Sequence, residues 1–192
     1  PYLFGGRLVD PGVDIVSFFA DQFPNGDMAR DAARRFDVPL FDSIEAALCV
    51  GGDSLAVDAV LSIGEHGDYP VNELGQKMYP RKRFFDAAVS VMKQANRFVP
   101  LFNDKHYSYR WDWAREMVDV ARANRMPLMG GSSVPLAQRR PRLGLPRGTR
   151  ITEAISIHGG PLESYGFHGL EVLQSMVEAR GEAGETGIAR VQ

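Results

Sequence analysis

Two short stretches hold most of the side chains that could do chemistry. In Val99–His106 (VPLFNDKH) an apolar run of Val99, Leu101 and Phe102 stops abruptly at Asn103, Asp104, Lys105 and His106. That reads as a buried parallel strand whose carboxyl end opens into polar groups, the place where open α/β sheets hold their ligands. In Glu163–Glu171 (ESYGFHGLE), Ser164 and His168 stand four residues apart and so share a face if the segment is helical, with Glu163 off that face. An imidazole with its ordinary pKa of about 6.5 can act as a general base near neutral pH. A serine can orient that ring, but cannot stabilise its charged form as a carboxylate would. A third group, Gly64, Glu65, His66 and Asp68, follows the apolar run Val57–Ile63. Asp21 ends another such run, Val13–Ala20; an acid there can take ribose hydroxyls in dinucleotide-binding folds, or simply cap a turn or helix.

The elements that must position these residues alternate in type. Strands are predicted at Val13–Asp21, Val38–Phe41, Val57–Ile63, Val99–Phe102, Pro127–Met129 and Ile151–Ile157. Tyr2–Pro11 reads as a loop. Helices are predicted after Asp27 through Phe36, after Asp42 or Ser43 through Leu48, and over Phe84–Asn96, Trp111–Asn124 and Pro161–Arg180. Apolar positions recur at helical spacing, with Trp111, Ala114, Met117, Val118 and Ala121 on one face, and Leu170, Leu173, Met176 and Val177 on another. Tyr69–Arg83 is a polar loop longer than the usual strand-to-helix connection of about 2–6 residues, and so a lid, an interface flap or an insertion. Strand–helix alternation argues for an α/β fold, a parallel sheet with helices on both faces. Val134–Arg150 carries Arg139, Arg140, Arg142, Arg147 and Arg150 among prolines and glycines. It reads as a solvated connector, with phosphate binding as the alternative. Tyr107, Tyr109, Trp111 and Trp113 read as packing residues rather than a base-stacking platform.

The 192 residues are 44% hydrophobic and 24% charged, with net charge −2, ordinary for a globular protein and without the basic excess of a nucleic-acid binder. No apolar run reaches the roughly 20 residues of a membrane span. A single cysteine, Cys49, excludes an internal disulfide and fits a reducing, cytoplasmic compartment. The chain opens on Pro1 without the basic and apolar regions of a signal peptide. It ends at Ile188–Gln192 in what reads as the start of a strand, so a fragment is expected. The pyrophosphate-binding pattern G-x-G-x-x-G does not occur in it.

The segments VDIVSFFADQFPNGDMARDAARRFDVPLFDSIEAAL, VDAVLSIGEH and VPLFNDKH together resemble the glucose–fructose oxidoreductase / inositol dehydrogenase (Gfo/Idh/MocA) family, and more closely its bacterial members with a GEHGDYP segment. The resemblance runs from about Val13 to the end. It implies a Rossmann-like domain over 1–133 lacking its first strand and glycine loop, a connector at 134–150, and the start of a second α/β domain over 151–192. It implies NAD or NADP as cofactor, a sugar or polyol oxidised at a C–OH, and a homo-oligomer when full length. Asp21 matches the ribose-binding acid. Lys105 matches the lysine of the Glu-Lys-Pro motif, with Asp104 for Glu and His106 for Pro, the latter relaxing the turn that aims the lysine. His168 matches the proton-accepting histidine of Asp-x-x-x-His, with Ser164 where the family has Asp and Glu163 beside it. Gly64, Glu65 and His66 correspond to a loop facing cofactor and substrate.

Two other readings stay open. A metal-dependent hydrolase or isomerase would use Glu65, His66, Asp68, Asp104 and His106 as carboxylate and imidazole ligands for Zn²⁺ or Mn²⁺. A non-catalytic Rossmann-like domain would bind a sugar or a partner. With the family's first strand absent, the strands at Val13–Ala20 and Val57–Ile63 are expected to lack a common neighbour, leaving the chain poorly stable with apolar edges.

Overall fold

The computed structural model describes residues 2–4, 7–181 and 187–190, without the side chains of Tyr2, Leu3, Phe4, Leu8 and Ser164. The architecture is α/β, with two small parallel sheets and an amino-terminal hairpin. The hairpin, β1 (Tyr2–Phe4) against β2 (Arg7–Val9), stands where a loop is expected. The first parallel sheet pairs β3 (Phe18–Phe19) with β4 (Leu40–Phe41). The second orders β5 (Val60–Ser62), β6 (Leu101–Asp104) and β7 (Leu128–Gly131) side by side. Thus β3 and β5 sit in separate sheets, as the sequence leads one to expect.

Helix starts follow the capping residues. In α1 (Ala29–Phe36), Asp27 accepts the Ala29 N–H at 2.8 Å, and Asp37 closes the helix in the left-handed region with φ 53°. Between the two candidate caps for α2 (Ile44–Leu48), Ser43 does the work: its Oγ accepts from Ala46 N at 3.0 Å. Helix α3 runs from Arg81 to Gln94, three residues earlier than its apolar spacing suggests. Phe85, Ala88, Val89 and Met92 face inward at i, i+3, i+4 and i+7.

The core lies between the β5–β6–β7 sheet and α3 with α4 (Trp111–Ala123). Met92 and Met117 are fully enclosed in it with Phe85 and Leu101. Each such side chain contributes about 1.5–3 kcal/mol of transfer free energy. Pairing of Val60 with Leu101 and Leu101 with Leu128 lines up the inward face, and the next register step lines up Leu61, Phe102 and Met129 on the other. Leu61 is 68% and Met129 63% exposed, so this face lacks the helical layer expected of it; α1 and α2 pack instead on β3 and β4.

Further expectations are corrected. Val13, Ile15 and Val16 are exposed and outside any strand, because β3 has pairing partners only at Phe18 and Phe19. Ile151–Ile157 forms no strand: its alternating isoleucines meet no neighbouring strand, and Ile157 is 93% exposed. The last predicted helix is a continuous helical run of mixed type, a π-helical turn at Leu162–Gly166, then α5 (Phe167–Val177) and a 3₁₀ turn at Glu178–Arg180, but Leu170, expected inward, is exposed. Trp111, at the first turn of α4, also points outward rather than into the core. Residues 188–190 form no strand, and 191–192 lie outside the described residues. Among the described residues, no helix is long and apolar enough to cross a membrane.

Candidate functional site

Parallel strands end on a common rim, and the chemistry-bearing residues collect there. At the end of β6, Lys105 takes a left-handed backbone conformation, φ 64°, which costs a non-glycine residue about 1–3 kcal/mol. Neighbouring groups hold it there. Lys105 N donates to Gly131 O at 2.9 Å, and the buried Asn103 amide donates to the carbonyls of Asp104 and His106 at 3.1 Å each. The Asn103 side chain thus braces the turn on both sides of Lys105.

Lys105 Nζ forms an ion pair with Glu65, which follows β5. Burial lowers the Lys105 amine below its ordinary value, opposed by the negative charge of Glu171. His66 points away, its side chain 89% exposed and 3.2 Å from Glu65 Oε1. Gly64 is buried against Arg81 and Phe84, and a Cβ there would meet both side chains at 3.4 Å, ordinary van der Waals contact.

Arg81, at the start of α3, is a component that motif reading misses. It is 1% exposed, donates to His106 Nε2 at 2.8 Å, and stacks over Tyr79 at 4.6 Å. A guanidinium has only donors, so His106 Nε2 must accept. Burial, then the charges of Arg81 and Lys105, push the His106 imidazole down to about 4. Asp104 lies in the field of Arg81, His168 and Glu171. Burial raises its carboxyl above the ordinary value against the pull of Arg81 and His168, and Glu171 adds to the rise.

His168 enters from α5. Its Nδ1 lies 3.0 Å from Ser132 Oγ, just past the end of β7, and 3.6 Å from Glu171 Oε2. Glu171 Oε1 accepts from Ser132 N at 2.9 Å, and its Oε2 accepts from Ser132 Oγ. The acid beside the histidine is thus three residues after it, not four before. Glu163 instead accepts the Lys77 N–H at 3.1 Å, away from His168, and the Ser164 side chain lies outside the described residues. Lys105 and His168 are joined through Gly131 and Ser132 to one rim, and the Phe167 ring packs 5.6 Å from the His106 ring and 6.1 Å from the His168 ring.

Asp21, after β3, is already engaged: its Oδ2 accepts from Arg83 at 2.6 Å and from the Tyr69 hydroxyl at 2.9 Å. Burial raises the carboxyl, but these hydrogen bonds and the arginine charge outweigh it and leave Asp21 below its ordinary value. The Tyr69–Arg83 segment is accordingly a strap rather than a free flap. Tyr69 and Arg83 tie it to Asp21, just after β3; Lys77 N ties it to Glu163 of the π-helical turn, and Gln76 to Tyr109 O.

The proposed metal set is not assembled. Among the described residues, no three His, Cys, Asp or Glu side chains are grouped to hold an ion, and His106 is committed to Arg81. No family model, curated protein or solved structure matches the chain.

Proposed function

We propose that the chain is a nicotinamide-dependent oxidoreductase of the Gfo/Idh/MocA type, built on a Rossmann-like domain. Its substrate is a sugar or polyol oxidised at a C–OH. The observation that carries this reading is the convergence of Lys105 and His168 on one strand rim through Lys105 N–Gly131 O and Ser132 Oγ–His168 Nδ1. Lys105, with ammonium protons left beyond the one facing Glu65, orients the substrate hydroxyl and favours its ionised form. His168 accepts the hydroxyl proton as general base. NAD or NADP takes the hydride when bound, and Asp21 at the end of β3 holds a ribose hydroxyl, sharing that carboxylate with Arg83 and Tyr69.

The test is a panel of polyols and sugars offered with NAD and NADP, followed by nicotinamide reduction. Activity on at least one C–OH substrate is expected, with Lys105→Ala and His168→Ala each lowering kcat by about 10²-fold or more. Turnover unaltered in both variants overturns the assignment.

A further inference from the structure

We infer that Glu171, acting through Ser132, fixes the tautomer of His168 so that Nδ1 carries the ring proton and Nε2 is left as the basic atom. The argument is a count of protons and lone pairs around one hydroxyl. A carboxylate can only accept, so both oxygens of Glu171 take protons from Ser132: Oε1 from the backbone N–H at 2.9 Å and Oε2 from the side-chain O–H. That commits the hydroxyl's single proton. Ser132 Oγ keeps two lone pairs, and two groups stand against them: Val134 N at 3.3 Å and His168 Nδ1 at 3.0 Å. With its own proton engaged, Oγ can only accept from the imidazole, so Nδ1 is the donor. At 3.6 Å the direct Nδ1–Glu171 contact is too long for a hydrogen bond, and the serine is the link.

The chain of bonds Glu171, Ser132, His168 does from two elements what a single carboxylate in direct contact would do. It selects one tautomer and aligns the ring. Glu171 is anchored on α5 one turn beyond His168, and Ser132 extends from β7, so the relay also docks the helix on the sheet rim. Ser132 and Glu171 are positioning residues. Their use in proton transfer rests on the oxidoreductase reading; the tautomer does not.

The experiment is ¹⁵N NMR of the full chain with labelled histidine, at a pH where the rings are neutral. The His168 signals are assigned among the four histidines by a His168→Gln variant. Wild type is expected to show the Nδ1–H form. Glu171→Gln can donate its amide proton to Ser132, which then turns its own proton to the ring, so this variant is expected to switch to Nε2–H. Ser132→Thr, which keeps the hydroxyl, is expected to retain Nδ1–H. An Nε2–H ring in wild type, or a Glu171→Gln ring unchanged from wild type, overturns the inference, and the wild-type spectrum decides even if a variant misfolds. An Nδ1–H ring in a chain that reduces no nicotinamide cofactor with any sugar or polyol sinks the oxidoreductase reading alone. With activity present, Glu171→Gln is expected to lower kcat by about 10²-fold with KM little changed and to shift the pH profile, partly restored in Glu171→Asp.

Discussion

His106 shows how one buried side chain makes the protein's stability depend on acidity. Its pKa is pushed down to about 4 in the folded chain, chiefly by burial and then by Arg81 and Lys105, whereas an unfolded histidine titrates at about 6.5. Between those values the unfolded chain binds the extra proton, so folding is favoured fully above about pH 6.5 and loses that contribution as pH falls through 4. Each unit of difference corresponds to about 1.4 kcal/mol, an upper bound for a partly screened ring. Chemical unfolding at pH 7 and pH 5 should show wild type weakened at the lower value. A His106→Gln variant, which keeps an acceptor for Arg81 and cannot take the proton, should show much less of that loss; equal loss in both would refute the assignment. Lys105 was legible from sequence because an apolar run ending in three ionisable residues marks a strand terminus. Arg81 and Glu171 were not. Arg81 sits in a polar loop-to-helix junction whose burial depends on Tyr79 and His106, and Glu171 follows His168 by three residues, whereas the Asp-x-x-x-His pattern has its acid four residues before the histidine.

At the scale of elements, β7 explains its own sequence. Its closing glycines are required by what comes against them: a Cβ at Gly130 would lie 2.8 Å from the Tyr107 ring, and one at Gly131, where φ is 150°, would lie 3.1 Å from Glu171 Oε1. Gly130→Ala should therefore force Tyr107 aside and cost about 1–3 kcal/mol in denaturant unfolding, with a loss under 0.5 kcal/mol, about the scatter of neutral surface changes, counting against this packing. The sequence announces β5, β6, α3 and α4 well, since burial on one side imposes a clear period. It misleads at Ile151–Ile157, where alternation is present but no strand lies alongside to complete a ladder. It also overextends β3, because Val13–Val16 are apolar yet find neither a pairing partner nor cover. The Tyr69–Arg83 strap was legible only as an over-long connection. Its ties to Asp21, Glu163 and Tyr109 O span the chain and have no local signature.

For the whole molecule, the consequence of two separate parallel sheets is apolar surface without a second layer. Leu61 and Met129 share an open sheet face, with Ile63 exposed just beyond β5. Surfaces of this kind associate, so the chain should self-associate as its concentration rises, measured by light scattering after gel filtration. Leu61→Lys with Met129→Lys should suppress that association while leaving the α3 and α4 core folded; a chain monomeric at all concentrations would show that this face is not sticky.

The proposed function requires that the protein bind a nicotinamide nucleotide, with Asp21 at the ribose and Lys105 and His168 at the reacting carbon. Calorimetric titration of NADH and of NADPH into the chain tests it most directly. Saturable binding of at least one is expected, weakened about 10-fold or more in Asp21→Ala by loss of a charge-assisted hydrogen bond. Heats no larger than dilution for both nucleotides, or affinity indifferent to Asp21→Ala, would contradict it.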